Sequence, residues 1–200
     1  MSVARFPYVC SLRKKDNSRH VCDGTLVDQI WVLTAAHCVD PALTDSSGLD
    51  PVVLCGIRDV HDSSSEPVER FPSLLPLLNA VSKRFNGIKT VLHSDWSGDV
   101  FQGYDIAMIQ LDKPAQLKTP LVDVLGNLPD IKEQLSTLGW KDDRENKSHS
   151  NKLYITTGLN RLHGRTCNAL WRRVLPDETV FCADVRKRHR YSSALNPKCQ

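Results

Sequence analysis

Short apolar runs separated by charged or polar segments make up most of this chain, a pattern typical of strands joined by turns and loops. The runs are rich in apolar, β-branched and aromatic residues, and they predict strands at residues 6–12, 24–36, 52–55, 88–92, 106–111, 135–140, 152–160 and 179–183. Residues 74–81, with their leucines and a valine, could form one short helix. Many short strands with little helix favour an all-β barrel or sandwich.

Residues 112–130 carry several prolines and are predicted to connect two halves of the chain. A second set of short strands follows, interrupted by the highly polar segment 141–151. This segment contains the sequon Asn146-Lys147-Ser148, the acceptor signal for N-glycosylation on surface loops of secreted proteins. The pattern thus predicts two halves that are both built from short strands.

The composition is that of an ordinary globular protein and excludes several other classes. Apolar residues make up 40% and charged residues 24% of the 200 positions, which argues against a disordered chain, a collagen and a coiled coil. No stretch approaches the roughly 18 uninterrupted apolar residues that a membrane helix needs. The net charge is +3, from 26 basic and 23 acidic residues, and such a balance does not indicate nucleic-acid binding.

Seven cysteines are spread along the chain instead of forming Cys-x-x-Cys pairs, at positions 10, 22, 38, 55, 167, 182 and 199. This distribution favours disulfides in an oxidising compartment over a zinc site. The odd number leaves at least one thiol unpaired within the chain. The first seven residues contain no apolar core of a leader, so no signal peptide is expected in this sequence.

Two segments indicate catalytic chemistry. In residues 31–38 a strand ends in two alanines followed by His37 and Cys38, and Cys22 lies sixteen residues back, where it could tether this turn. A histidine held in one place in this way suits a general base. Asp105 stands at the start of an apolar strand, where an uncompensated carboxylate would be costly, and a histidine N–H is its natural partner.

Residues 33–38 (Leu-Thr-Ala-Ala-His-Cys) and 104–107 (Tyr-Asp-Ile-Ala) resemble the histidine and aspartate motifs of the trypsin/chymotrypsin family of serine endopeptidases. Residues 22–27 (Cys-Asp-Gly-Thr-Leu-Val) are similar to the family's Cys-Gly-Gly-Ser/Thr-Leu-Ile. Residues 6–12 resemble its first barrel strand, 93–96 its His-Pro-x-Tyr/Trp, and 138–140 its Gly-Trp-Gly. The resemblance covers about residues 5–184 and keeps the family's order of motifs.

The resemblance implies an all-β fold with the trypsin-like double β-barrel, in which the second barrel is incomplete. We expect a first barrel at 1–115 carrying His37 and Asp105, a partial second barrel at 116–184, and an unmatched basic tail at 185–200. It also implies disulfides Cys22–Cys38 and Cys167–Cys182. Cys10 and Cys55 would lie on neighbouring strands, so a third bridge is a hypothesis, and Cys199 is left without an assigned partner.

By the same resemblance, the function is serine-type peptide-bond hydrolysis, with His37 as general base and acid and Asp105 orienting its imidazole. No metal or organic cofactor is implied. The implied partners are protein or peptide substrates or protease inhibitors, with no nucleic acid and no membrane. A monomeric, secreted or extracellular protein is expected.

The family's nucleophile motif, Gly-Asp-Ser-Gly-Gly, does not occur in this sequence. Ser192 and Ser193 lie near its expected place but lack the glycines that supply the oxyanion-hole N–H groups. These 200 residues by themselves are therefore expected to be inactive. The alternative to a serine endopeptidase is an inactive protease homologue or truncated isoform that acts, if at all, as a binding protein.

Two other interpretations compete with the catalytic one. The pairs His20/Cys22 and His37/Cys38 could together bind zinc, although their spacing is not that of a zinc finger. The basic run 186–190 could contact nucleic acid, but a solvated tail is the simpler interpretation.

Overall fold

A computed structural model gives the structure of the chain. It describes residues 6–15, 19–43, 51–60, 84–123, 129–131, 133–140 and 152–185. The described residues contain nine strands: β1 (Val9–Arg13), β2 (His20–Asp28), β3 (Trp31–Thr34), β4 (Val52–Cys55), β5 (Arg84–Leu92), β6 (Ala107–Leu111), β7 (Gln134–Trp140), β8 (Leu153–Arg161) and β9 (Ala183–Val185). The eight-residue α1 (Gly164–Trp171) is the longest described helix, and no described helix has the length and apolar character for a membrane crossing.

The first six strands close into an antiparallel barrel in the order β1-β2-β3-β6-β5-β4. Strand β6 shows the alternation that a barrel wall requires, since Ala107, Ile109 and Leu111 point inwards and are buried. Other fully buried side chains fill the barrel from facing strands, among them Leu12, Leu26, Val32 and Phe85.

Strands β1 and β4 are buried on both faces because they separate the barrel interior from the second sheet. Cys10 and Leu12 belong to the barrel core, whereas Val9 lies in a second apolar cluster with Val52 and Trp140. Cys10 and Cys55 face each other in the register of β1 and β4, and a disulfide joins them.

The second sheet has the order β7-β8-β9, and all its pairs are antiparallel. Trp140 at the end of β7 packs against the barrel, and its indole N–H donates to the carbonyl of Arg58. The disulfide Cys167–Cys182 links α1 to the segment before β9. Apolar packing and a hydrogen bond thus hold the second sheet against the barrel, and a covalent bridge holds α1 to the segment before β9.

One closed barrel, one partial sheet and little helix confirm the predicted fold class. The domain boundaries 1–115, 116–184 and 185–200 stay a prediction. The helix expected at 74–81, the sequon at Asn146, Ser192, Ser193, Cys199 and the basic run 186–190 lie outside the described residues.

Besides the residues at which β1, β2 and β5 begin, three details differ from the sequence prediction. The strand expected at 24–36 is two strands, because the Asp28 side chain accepts a hydrogen bond from the backbone N–H of Ile30 and turns the chain between β2 and β3. The strand expected at 179–183 is displaced to 183–185, since the N–H groups of Thr179 and Val180 both donate to Pro176 in a turn. Helix α1 was not predicted.

Candidate active site

His37 lies in a short 3₁₀ turn, Ala36–Cys38, directly after β3. The turn packs tightly on the barrel because Ala36 is fully buried and its carbonyl accepts from the N–H groups of Val39 and Asp40, at 3.0 and 2.8 Å. A disulfide joins Cys38 to Cys22 in β2. The histidine backbone is therefore fixed on both sides while its side chain, 40% exposed, reaches solvent.

Asp105 holds His37 with both carboxylate oxygens. Oδ1 accepts the backbone N–H of His37 at 2.8 Å, and Oδ2 lies 2.7 Å from the Nδ1 atom of the same residue. A carboxylate only accepts hydrogen bonds, so Nδ1 carries the proton and donates it. The lone pair of the neutral imidazole is then on Nε2, which is the arrangement of a general base.

The segment before Asp105 is constrained by its neighbours. Tyr104 adopts a left-handed backbone conformation with φ of 56°, which is uncommon for a residue other than glycine. Its ring stacks on His93, with centroids 4.9 Å apart and planes inclined by 22°. The N–H of His93 donates to the carbonyl of Ile106, so the strained residue is held directly before the carboxylate that faces His37.

A second carboxylate, Asp40, connects the histidine turn to the segment that precedes Asp105. It is 7% exposed, and its Oδ2 accepts the indole N–H of Trp96 at 2.7 Å. Its Oδ1 accepts the N–H of Ala42 at 2.8 Å. Because Asp40 follows His37 closely and Trp96 lies in the 93–96 motif, this bond ties the two halves of the site together.

Asp23 occupies a crowded position between the barrel and the second sheet. Burial raises its pKa from 3.8 to about 6, although a hydrogen bond from the Trp140 backbone N–H opposes this. A Cβ atom on Gly139 would collide with its carboxylate, so the glycine makes room for it. His20 lies beside it, with Nε2 at 3.6 Å from Oδ1, Nδ1 at 2.8 Å from the hydroxyl of Ser11, and its ring edge-on to Trp140.

Contacts beside the site join the 99–103 turn to the second half. The Phe101 ring contacts Trp171 edge-to-face at 5.4 Å, and the Arg173 guanidinium lies 3.9 Å above the same ring. Gly103, with φ of 80°, packs against Thr179 so closely that a Cβ would collide with it. This turn ends just before Asp105, so both halves of the protein border the site.

In the oxidised protein the described residues do not support a zinc site formed by His20, Cys22, His37 and Cys38. Cys22 and Cys38 form a disulfide and therefore offer no thiolate ligands. His20 points to Ser11 and Asp23 and does not join His37.

The structure brings together the two residues that were predicted to cooperate, His37 and Asp105, next to the Cys22–Cys38 bridge. The Asp40–Trp96 bond was missed, although the 93–96 motif was a signal that could have pointed to it. The raised pKa of Asp23 was also missed. The only signal was the identity of residue 23, which is aspartate where the similar motif Cys-Gly-Gly-Ser/Thr-Leu-Ile has glycine.

Comparisons with known proteins agree with these motifs. A family model described as Trypsin matches residues 2–72. Chymotrypsin-like elastase family member 1 of Bos taurus is 36% identical over 127 residues, which are 62% of this chain and 39% of the relative. The Felis catus protein of the same name is 30% identical over 159 residues, 78% of this chain and 47% of the relative. The chain therefore spans less than half the length of these relatives.

Proposed function

Because the chain belongs to the trypsin/chymotrypsin-like family of serine endopeptidases, we propose that it supplies the general base and the orienting carboxylate for peptide-bond hydrolysis. The observation that carries the proposal is the pair of hydrogen bonds that Asp105 accepts from His37, one from the backbone N–H and one from Nδ1. Together they fix both the position and the tautomer of the imidazole.

In the proposed reaction, Nε2 of His37 takes the proton of a serine hydroxyl as the oxygen attacks the substrate carbonyl. Asp105 stabilises the imidazolium that forms and does not itself become protonated. His37 then gives the proton to the leaving amine, and a water molecule repeats the sequence to release the acid. The His37 side chain is 40% exposed, which leaves part of the ring accessible to a serine and a substrate.

The nucleophile is the part of the proposal that these 200 residues do not provide, since Gly-Asp-Ser-Gly-Gly does not occur in them. The reaction therefore requires a serine from a segment that carries that motif and its oxyanion-hole N–H groups. The domain boundaries proposed above place both His37 and Asp105 in the first barrel at 1–115.

The proposed substrates are proteins or peptides, and the proposed partners include inhibitors of such enzymes. The three disulfides support an extracellular location, since such bonds persist in oxidising surroundings. A monomer is proposed, with no metal or organic cofactor in catalysis.

The missing motif also favours a second candidate function, that of an inactive homologue that binds a protein partner. The two proposals agree on the His37–Asp105 geometry and differ in whether a reactive serine exists. An experiment that detects a reactive serine therefore distinguishes the two proposals.

A serine-directed phosphonate tests the choice on the protein isolated from its natural source and, in parallel, on the purified 200-residue chain. Catalysis predicts a covalent adduct on one serine of the natural protein, located by peptide mapping. When the natural protein is produced recombinantly, its His37→Gln variant should lose the label and its His163→Gln variant should keep it. A natural protein that remains unlabelled, while it still captures a protease inhibitor, would exclude the enzyme and support the binding homologue.

A further inference from the structure

Three potential metal ligands lie within 4.8 Å of one another beside the candidate base: the sulfur atoms of Cys22 and Cys38 and a ring nitrogen of His37. The sulfur of Cys38 is 3.5 Å from Nε2 of His37. In the oxidised protein the sulfurs are bonded to each other, so the cluster has no free thiolate.

The separation of the sulfur and the nitrogen already suits a tetrahedral zinc ion. Bond lengths of about 2.3 Å to sulfur and about 2.0–2.1 Å to nitrogen, at a tetrahedral angle, place the two ligand atoms roughly 3.5 Å apart. The histidine would therefore need no large movement, and reduction of the bridge would free the second sulfur.

The surroundings of His37 match those of a metal-bound histidine. Nδ1 donates to Oδ2 of Asp105 at 2.7 Å, which leaves the lone pair on Nε2, the ring nitrogen that lies 3.5 Å from the Cys38 sulfur. Carboxylate partners of this kind orient metal-ligating histidines and raise their basicity. The His37 side chain is 40% exposed, so the cluster borders solvent, and a zinc ion with three protein ligands takes water as its fourth.

We propose that reduction of the Cys22–Cys38 disulfide creates a zinc site formed by the two cysteine sulfurs and Nε2 of His37, with Asp105 orienting the histidine. A dithiol reductant would exchange with the bridge, so that the reductant becomes a disulfide and the protein gains two thiols. Zinc binding then displaces two protons, one from each thiol. No electrons pass to the metal.

Accessibility favours this bridge over the other barrel disulfide. Cys22 is half-buried near the surface, whereas Cys10 and Cys55 are fully buried in the barrel core. A reductant must reach a sulfur atom to exchange with it. The Cys22–Cys38 bridge is therefore expected to open before the Cys10–Cys55 bridge.

Zinc at this site and the proposed general base are mutually exclusive, because both use the Nε2 lone pair of His37. The reduced, zinc-loaded protein would have no base. A disulfide oxidant, itself reduced to two thiols as Cys22 and Cys38 rejoin, would release the ion and restore the base. Metal binding itself does not depend on peptidase activity, so the site can be tested even if the proposed function is wrong.

Cobalt, which reports its ligands through visible absorption, is the probe. The 200-residue chain is titrated with Co²⁺ before and after anaerobic reduction with a phosphine, which becomes a phosphine oxide with an oxygen from water. We expect one cobalt per reduced chain, with thiolate charge-transfer and tetrahedral bands, and none in the oxidised chain. Zinc should displace the cobalt stoichiometrically.

Five variants locate the ion. His37→Gln and Cys22→Ser/Cys38→Ser should lose tight binding, whereas His163→Gln and Cys167→Ser/Cys182→Ser should retain it. The Asp105→Asn variant should bind about 10–100-fold more weakly. Cobalt binding that is unaffected by His37→Gln would overturn the proposal, including the case in which reduction unfolds the chain and scattered thiols take the metal. Failure of the reduced wild-type chain to bind cobalt would also overturn it.

Discussion

Replacing Asp23 with asparagine should stabilise the protein at neutral pH and remove part of its pH dependence. The carboxylate lies between the barrel and Gly139, and its Oδ1 is buried without a hydrogen bond to any described residue. Burial raises its pKa from 3.8 to about 6. Asparagine has nearly the same shape, keeps an oxygen that can accept the Trp140 N–H, and carries no charge.

The sign of the effect follows from the direction of the pKa change. A carboxyl group whose pKa is higher in the folded than in the unfolded state binds its proton more tightly when folded. Its contribution to stability is complete below about pH 3.8 and is lost as the pH rises through about 6. At about 1.36 kcal/mol per pKa unit, the rise from 3.8 to about 6 corresponds to a loss of about 3 kcal/mol in the free energy of unfolding. This value is an upper limit, because 31% of the side chain remains exposed to water.

The assay is urea unfolding of the oxidised chain, followed by tryptophan fluorescence from pH 4 to 7. The free energy of unfolding of Asp23→Asn should be close to that of the wild type at pH 4 and exceed it by about 2–3 kcal/mol at pH 7. Asp28→Asn is the matched control, since Asp28 lies on the same strand and its hydrogen bond with the Ile30 N–H is exposed.

The opposite outcome has a specific physical meaning. His20 lies 3.6 Å from Asp23, and a protonated imidazole there would favour the charged carboxylate. If the variant were less stable than the wild type near pH 6, the ion pair with His20 would outweigh desolvation, and the reasoning would be wrong. A constant difference from pH 4 to 7 would also refute it.

Two further substitutions test the packing around the site. Trp96→Phe removes the indole N–H that donates to the buried carboxylate of Asp40, and it should lower the free energy of urea unfolding by about 1.5–3 kcal/mol. An unchanged unfolding midpoint would show that this bond does not tie the site together. Gly103→Ala places a methyl group on a left-handed backbone, where it would collide with Thr179. It should lower the melting temperature more than Gly98→Ala, where φ is 85° but the space is open. Equal decreases would mean that the contact with Thr179 is unimportant.

The architecture could be predicted wherever local pattern and long-range packing agree. Strands such as 52–55 coincide with apolar runs and were found as predicted. The 24–36 prediction failed because the Asp28 side chain accepts a hydrogen bond from the Ile30 N–H and bends an otherwise continuous apolar run, an effect that periodicity does not register. Helix α1 was missed because it begins at Gly164, has no side-chain cap at its first turn and spans only eight residues.

The candidate site was predictable to the extent that its residues lie in compact motifs. His37 and Asp105 are 68 positions apart, but each sits in a segment whose family resemblance indicates its partner. The environment of Asp23 could not be predicted, because it depends on the approach of Gly139 and Trp140 from the second sheet. A desolvation effect of this kind arises from tertiary packing and has no local pattern.

The proposed general base depends on the hydrogen bond that His37 donates to Asp105, and proton NMR of the oxidised chain observes that bond itself. This bond predicts a resonance downfield of the backbone amides from the Nδ1–H of His37, present in the wild type and in Asp28→Asn but absent in Asp105→Asn and His37→Gln. Absence of this resonance from the folded wild-type chain, or its persistence in Asp105→Asn, would contradict the claim.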